Sequence, residues 1–179
     1  YNASRLLWDN LSQNADRPAV IHDDGTLSYA DLTALAARYG DRLRQTCAPG
    51  DRVLMVMDDE PAYPAAIMGA MRAGLVPMLI NTLSPPDLMR FFLEDSGATA
   101  AVIGRGFAAQ FDNALTENTA CRETLIADLP LTGPAPDLPE HPTTRRDMAF
   151  WMYSSGSTGR PKGVVHKHED PAYTAATWS

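Results

Sequence analysis

The sequence predicts an α/β fold with a mainly parallel sheet and helices on both faces, and three observations carry that expectation. Short continuous apolar runs, Val53 to Met57, Val76 to Ile80 and Ala100 to Ile103, are bounded by turn residues and read as strands buried on both faces. Between them lie segments whose apolar residues recur at i, i+3 and i+4, the mark of a helix with one buried face. Strand and helix alternate, as a parallel sheet requires, because each parallel return needs a crossover.

Taken in order, Ser4 is expected to cap a first helix with Leu7, Trp8 and Leu11 on one side. Pro18 then forces an extended segment, Ala19 to His22. Asp23-Asp24-Gly25 signals a tight hairpin in which Asp-Gly supplies the positive φ angles, with Leu27 to Tyr29 as the second arm. Leu32, Leu35, Ala36, Tyr39 and Leu43 share one face of a helix from about Ala30 to Gln45. After the strand at Val53, Pro61 opens a helix whose stripe is Tyr63, Ala66, Ile67, Ala70 and Met71, ending at Gly74. Ser84-Pro85-Pro86-Asp87 opens another, carrying Leu88, Phe91 and Phe92 and closed by Gly97. A helix from about Phe107 to Thr116 and a strand at Thr124 to Ile126 complete the run.

Domain organisation follows from the prolines. Residues 1–127 read as one α/β subdomain, 128–147 as a proline-rich surface connection, and 148–179 as the start of a second subdomain. The chain has 179 residues, enough for one well-buried domain or one domain and part of another. It starts without Met and stops at Trp178-Ser179 inside an apparent helix, so a fragment is expected.

Composition excludes several classes. The net charge is -7 with no basic stripe, which argues against nucleic acid. No apolar run approaches the ~20 residues of a membrane helix, and no signal-peptide pattern is present, so no membrane partner is expected and a cytoplasmic location is. Cys47 and Cys121 stand in no metal-ligand spacing and read as free thiols.

Chemistry concentrates after the connection. An apolar strand, Met148 to Tyr153, runs into Ser154-Ser155-Gly156-Ser157-Thr158-Gly159-Arg160-Pro161-Lys162-Gly163, where four hydroxyls, three glycines and one lysine lie within ten residues. Glycine lets backbone N–H groups converge on an anion, hydroxyls add rotatable donors, and lysine adds a point charge suited to phosphate. Against the G-x-x-x-x-G-K-[ST] loop, counting from Gly156 puts Pro161 at the second glycine and Gly163 at the metal-binding hydroxyl, so this is a different loop. Val164 and Val165 read as strand, which makes the loop a hairpin connection. A flexible Ser/Gly linker is the alternative.

Tyr153 to Val165, YSSGSTGRPKGVV, resembles the signature loop of the adenylate-forming superfamily, which includes acyl- and aryl-CoA ligases, peptide-synthetase adenylation domains and firefly-type luciferases. Leu27 to Leu32 and Met71 to Pro77 resemble two earlier motifs of that superfamily in order and spacing. Phe150 to Tyr153, Val165 to His168 and Ile80 to Leu83 are most similar to benzoate- and hydroxybenzoate-CoA ligases. The resemblance implies a partial N-terminal domain of an adenylate-forming enzyme that joins a carboxylate to ATP and then transfers the acyl group to CoA. It assigns ATP phosphate binding to Ser154, Ser155, Gly156, Ser157, Thr158, Gly159 and Lys162. It puts the catalytic residues and the Mg2+ ligands beyond Ser179, so no metal site is expected here and the isolated piece should not turn over. It leaves a homodimer open. Loading of a carrier protein, or a non-catalytic nucleotide-binding module, stays open beside the CoA ligase.

Four further groups invite a role. Arg160 reads as solvent-facing, and His166 and His168 as hydrogen-bonded residues at a strand end. Asp170-Pro171 reads as an N-cap with a first-turn proline, and Asp58-Asp59-Glu60 as an exposed turn before a helix.

Overall fold

A computed structural model describes residues 1–115, 120–129, 134–154 and 160–178. Five strands run parallel: β3 (Arg52–Val56), β4 (Val76–Leu79), β5 (Ala100–Ile103), β6 (Glu123–Ile126) and β7 (Met148–Ser154). A sixth, β8 (Lys162–Lys167), closes antiparallel on β7, and the sheet order is β6-β5-β3-β4-β7-β8. A separate two-stranded ribbon, β1 (Pro18–His22) with β2 (Gly25–Ser28), precedes it.

The apolar runs have the cause assigned to them. Along β3, Val53 and Met55 join one core with helices α3 (Tyr29–Arg44) and α4 (Ala62–Arg72). Leu54 and Val56 point the other way, into a core with α5 (Leu88–Ser96) and α6 (Ala108–Leu115). Ala100 and Val102 divide from Ala101 and Ile103 in the same manner along β5. With both faces covered, every position must be apolar and the period of two disappears from the sequence.

Helix starts follow local chemistry. Ser28 caps α3 in a capping box: its Oγ accepts from Asp31 N–H at 3.1 Å, and Asp31 Oδ2 accepts from Ser28 N–H at 3.1 Å. The Ser28 hydroxyl, which donates to Asp31 Oδ2 at 2.6 Å, and then the Ser28 N–H hold the Asp31 carboxyl below the usual carboxylate range. Gly97 closes α5 at φ 57°, the left-handed stop that glycine permits.

Several expectations fail at this level. The first helix is two single turns, α1 (Arg5–Trp8) and α2 (Leu11–Asn14), because the Asn10 side chain donates to Leu6 O at 2.9 Å and competes with helix continuation. Ser4 does not cap it; Ser4 is buried in helical backbone geometry, and Asn2 Oδ1 instead accepts from Ser4 N–H at 2.9 Å. In the first hairpin His22 pairs with Gly25, so the loop is Asp23-Asp24, neither has positive φ, and Gly25 alone takes the unusual conformation at φ 148°.

The stripe of α4 is also rotated. Ala62, Ala65, Ala66, Gly69, Ala70 and Met71 are buried, whereas Tyr63 and Ile67 are half-buried. Smallness selects that face: a Cβ on Gly69 would collide with Ala36 O, and one on Gly40 would lie 2.6 Å from Gly69 O, so α3 and α4 cross backbone to backbone.

The connection from β6 to β7 must traverse the whole sheet, and its described part is fastened to the α3/α4 layer. Leu138 is buried there, Arg72 Nε donates to Leu138 O at 3.0 Å, and His141 N–H donates to Arg72 O at 2.9 Å. Glu140 takes salt bridges from Arg5 at 2.9 Å and Arg72 at 3.3 Å, and the Arg72 guanidinium lies 4.5 Å over the Trp8 ring. The segment is therefore a strap across the helices, with one apolar anchor that proline content alone does not reveal.

Candidate functional site

All five parallel strands point their carboxyl ends to one edge, the edge at which open α/β sheets place ligands. Register puts the candidate loop there. Trp151 pairs with Met78 and Met152 with Leu79, so Ser154 leaves the sheet two residues further on, beside the segment Ile80 to Thr82. A cavity of about 230 Å³ opens at this edge between the ends of β3 and β4, lined in part by Asp58, Asp59, Asn81 and Thr82. A cavity of about 480 Å³ at the start of helix α7 (Asp170–Trp178), against Tyr1, Arg145 and Tyr173, lies at the opposite end of β8.

The hairpin expected around the loop is present: β7 and β8 pair from Met148 with Lys167 to Ser154 with Lys162. Ser155, Gly156, Ser157, Thr158 and Gly159 lie outside the described residues; Ser154 and Lys162 frame them. Directly paired residues share a face of the ribbon, so Ser154 and Lys162 present their side chains on the same side at the mouth. Both are exposed, and among the described residues Lys162 makes no salt bridge.

Alternation assigns the rest of the ribbon. Phe150, Met152, Val164 and His166 lie on the face of Ser154 and Lys162, whereas Trp151, Tyr153, Gly163 and Val165 lie on the other. Tyr153 packs against α5, its ring 4.7 Å from that of Phe92, and its hydroxyl donates to Asp95 Oδ2 at 2.8 Å. Burial, with the Asp95 carboxylate beside it, raises the Tyr153 phenol above its ordinary value. Gly163 lies close to its neighbour: a Cβ there would lie 3.0 Å from the Trp151 ring, which would have to shift by a few tenths of an ångström. Arg160 is exposed, as expected, and its guanidinium also lies 5.9 Å over the Phe91 ring.

The histidines behave as structural residues. His166 stacks on Phe150 at 4.6 Å and 11°. His168 is 2% exposed, its Nδ1 accepts from Ala3 N–H at 3.0 Å, and burial lowers its proton affinity. Asp170 is the first residue of α7 and not its N-cap, and its Oδ2 reaches back to accept from Lys167 N–H at the end of β8 at 2.9 Å. Asp58 and Asp59 are exposed and Glu60 half-buried; burial and Asp58 raise the Glu60 carboxyl. Among the described residues no group of three or more His, Cys, Asp or Glu side chains is placed to hold a metal ion. No helix of the described residues is long and apolar enough to cross a membrane.

A mainly parallel sheet with helices on both faces, and with Ser154 and Lys162 at its carboxyl edge, places the chain in the open α/β class. The chain belongs to the family of AMP-binding enzymes, whose model matches residues 7–179. It is 32% identical over 178 residues to a 3-hydroxybenzoate–CoA ligase of Aromatoleum sp. (strain CIB), covering 93% of this chain and 34% of that protein. It is 34% identical over 193 residues to a benzoate–CoA ligase of Thauera aromatica, covering 100% of this chain and 36% of that protein. The crystal structure of a benzoate CoA ligase from Burkholderia xenovorans LB400 superposes with a TM-score of 0.87 at 31% identity, over 99% of this chain and 37% of that one. The chain thus spans about a third of the length of the curated relatives it matches.

Proposed function

We propose that the protein activates an aromatic carboxylic acid with ATP, forming an acyl-adenylate and pyrophosphate, and then passes the acyl group to the thiol of CoA with release of AMP. One observation carries this reading: the loop that ends in Lys162 is the tip of a hairpin at the carboxyl edge of the parallel sheet, with Ser154 opposite Lys162 at its mouth. Family membership and similarity to aryl-CoA ligases support the same chemistry.

In the first half-reaction the carboxylate attacks the α-phosphorus in line, and negative charge builds on the departing pyrophosphate. Ser154, Ser155, Ser157, Thr158, the backbone N–H groups at Gly156 and Gly159, and Lys162 would hold the β- and γ-phosphate oxygens and neutralise that charge. None of them needs to move a proton. Gly163 keeps the Trp151 ring close behind the lysine-bearing strand. Mg2+ would accompany ATP, with its protein ligands outside this chain.

Residues 148–179 would open a second subdomain whose strands β7 and β8 continue the sheet of residues 1–127, a division that limited proteolysis between 128 and 147 can test. A cytoplasmic location belongs to the same reading and is supported by Cys47 and Cys121, which are not joined in a disulfide.

The test is exchange of labelled pyrophosphate into ATP by the full-length protein encoded by its gene. Exchange should appear only with an aromatic carboxylate present; none with a broad panel of acids would end the ligase reading. Replacing Lys162, Ser157 and Thr158 together by Ala should weaken adenylation by roughly 3 kcal/mol or more without unfolding the protein. An unaffected rate would mean that the loop is only a linker.

A further inference from the structure

Among the described residues, the hairpin that presents Ser154 and Lys162 has β8 paired with β7 alone. Backbone pairing of β7 with β4 and β8 sets the register of the hairpin, and side chains from one helix add contacts at its mouth. Phe91 and Asp95 stand one turn apart on α5, on the flank beside the core residues Phe92 and Leu93. Tyr153, the residue before Ser154, fits its ring against Phe92 at 4.7 Å and Phe91 at 6.3 Å and donates to Asp95 at 2.8 Å. On the returning arm, Arg160, two residues before Lys162, lies over Phe91 at 5.9 Å. Both arms of the loop are thus tied to the same turn of α5.

On the basis of the phosphate-binding reading above, we propose that Asp95 is a positioning residue: through Tyr153 it sets where Ser154 and Lys162 stand for ATP. A carboxylate near a triphosphate site opposes binding unless it faces elsewhere. Asp95 does face elsewhere, because Tyr153 and Ser154 are adjacent strand residues and point to opposite sides of the ribbon. The Tyr153–Asp95 bond lies at the surface, where a single hydrogen bond adds little to global stability. Its direction is what it supplies: an aromatic ring alone can slide on Phe92, whereas a hydroxyl held by a carboxylate oxygen cannot.

The experiment is steady-state pyrophosphate exchange by the full-length protein with Tyr153→Phe, Asp95→Ala, Asp95→Asn and the Tyr153→Phe/Asp95→Ala pair, with Lys162→Ala alongside. Tyr153→Phe and Asp95→Ala should each raise KM for ATP about tenfold and leave KM for the carboxylate within about twofold, and the pair should be no worse than either single change. Asp95→Asn, which keeps an acceptor oxygen, should recover most of the loss. Thermal melting should be unchanged, since the Phe variant keeps the ring packing. The proposal is overturned if KM for ATP stays within about twofold in both single variants while Lys162→Ala raises it. It is also overturned if both substrates are affected equally and the melting point falls, the result expected of a merely structural bond. If Lys162→Ala itself leaves KM for ATP unchanged, the phosphate-binding reading fails, and this proposal with it.

Discussion

The centre of the sheet and its β7–β8 edge are built on different principles. In β3 the residues Val53 to Val56 are at most 1% exposed, whereas in β8 Val164 and Val165 are each 44% exposed. The centre is held by its parallel backbone ladders and by burial on two faces, and the side chains of Val53 to Val56 are all apolar. The edge has one strand neighbour and relies on directed contacts: the cross-strand register from Met148 to Lys167, the stacking of His166 on Phe150, and the Tyr153–Asp95 bond. Burial is non-directional and tolerates little change of volume; directed contacts set position and tolerate change of volume well. The loop proposed to hold phosphate belongs to the region where position can be adjusted without disturbing the core.

The comparison breaks most visibly where helices touch by backbone. Gly69→Val should destabilise the protein by about 3 kcal/mol or more, read by urea unfolding, because its Cβ meets Ala36 O and no flexible side chain can yield. Leu54→Ala should cost on the order of 3 kcal/mol, since Leu54 is 0% exposed between α5 and its neighbouring strands and the site cannot collapse fully. Stability near that of the parent in either variant would mean that the central layer is not closely packed.

The same contrast explains what could be read in advance. The strands Val53, Val76 and Ala100 were legible because double burial removes polar residues from them, and α3 because Leu32, Leu35, Ala36, Tyr39 and Leu43 keep one face. On α4 the expected Ala66, Ala70 and Met71 are buried, but Tyr63 and Ile67 are only half-buried, because small Ala62, Ala65 and Gly69, which a search for large residues passes over, share the contact. Ser4 looked like a cap, yet the cap geometry depends on backbone angles that no residue name carries. The hairpin around the loop was legible from Gly163-Val164-Val165; its ties to Phe91 and Asp95 were not, since they join residues far apart in the chain, 58 positions for Tyr153 and Asp95, and only the i, i+4 spacing on α5 hints at them. Two of the three segments that carry the family resemblance do architectural work: Leu27 to Leu32 is a strand end and a capping box, and Met71 to Pro77 turns α4 into β4 through Gly74 at φ 84°.

A third test concerns the seam between the edge and the amino end. His168 is neutral and accepts from Ala3 N–H, and burial depresses its pKa in the folded state. The unfolded chain therefore takes up the proton first. Stability from this contact is fully present above the ordinary value of 6.5 and is lost as pH falls from there through the folded value. Thermal melting should drop between pH 7.5 and pH 5, and His168→Gln should flatten that dependence at a constant cost. An equally steep pH dependence in the Gln variant would assign the acid sensitivity to other groups.

The smallest effect is the sharpest check on the contrast. Val164 lies on the same ribbon face as Ser154 and Lys162, next to Met152, and both are close to half exposed. Val164→Ala should change stability by less than about 0.5 kcal/mol, against several for Leu54→Ala, although both residues are apolar and both sit in strands. If Val164→Ala instead costs as much as a core truncation, the open face of β8 is covered in solution, and the edge is part of a larger packed interface. In that case Ser154 and Lys162 would be held from the exposed face as well as from α5, and the Tyr153–Asp95 bond would lose its claim to set their position.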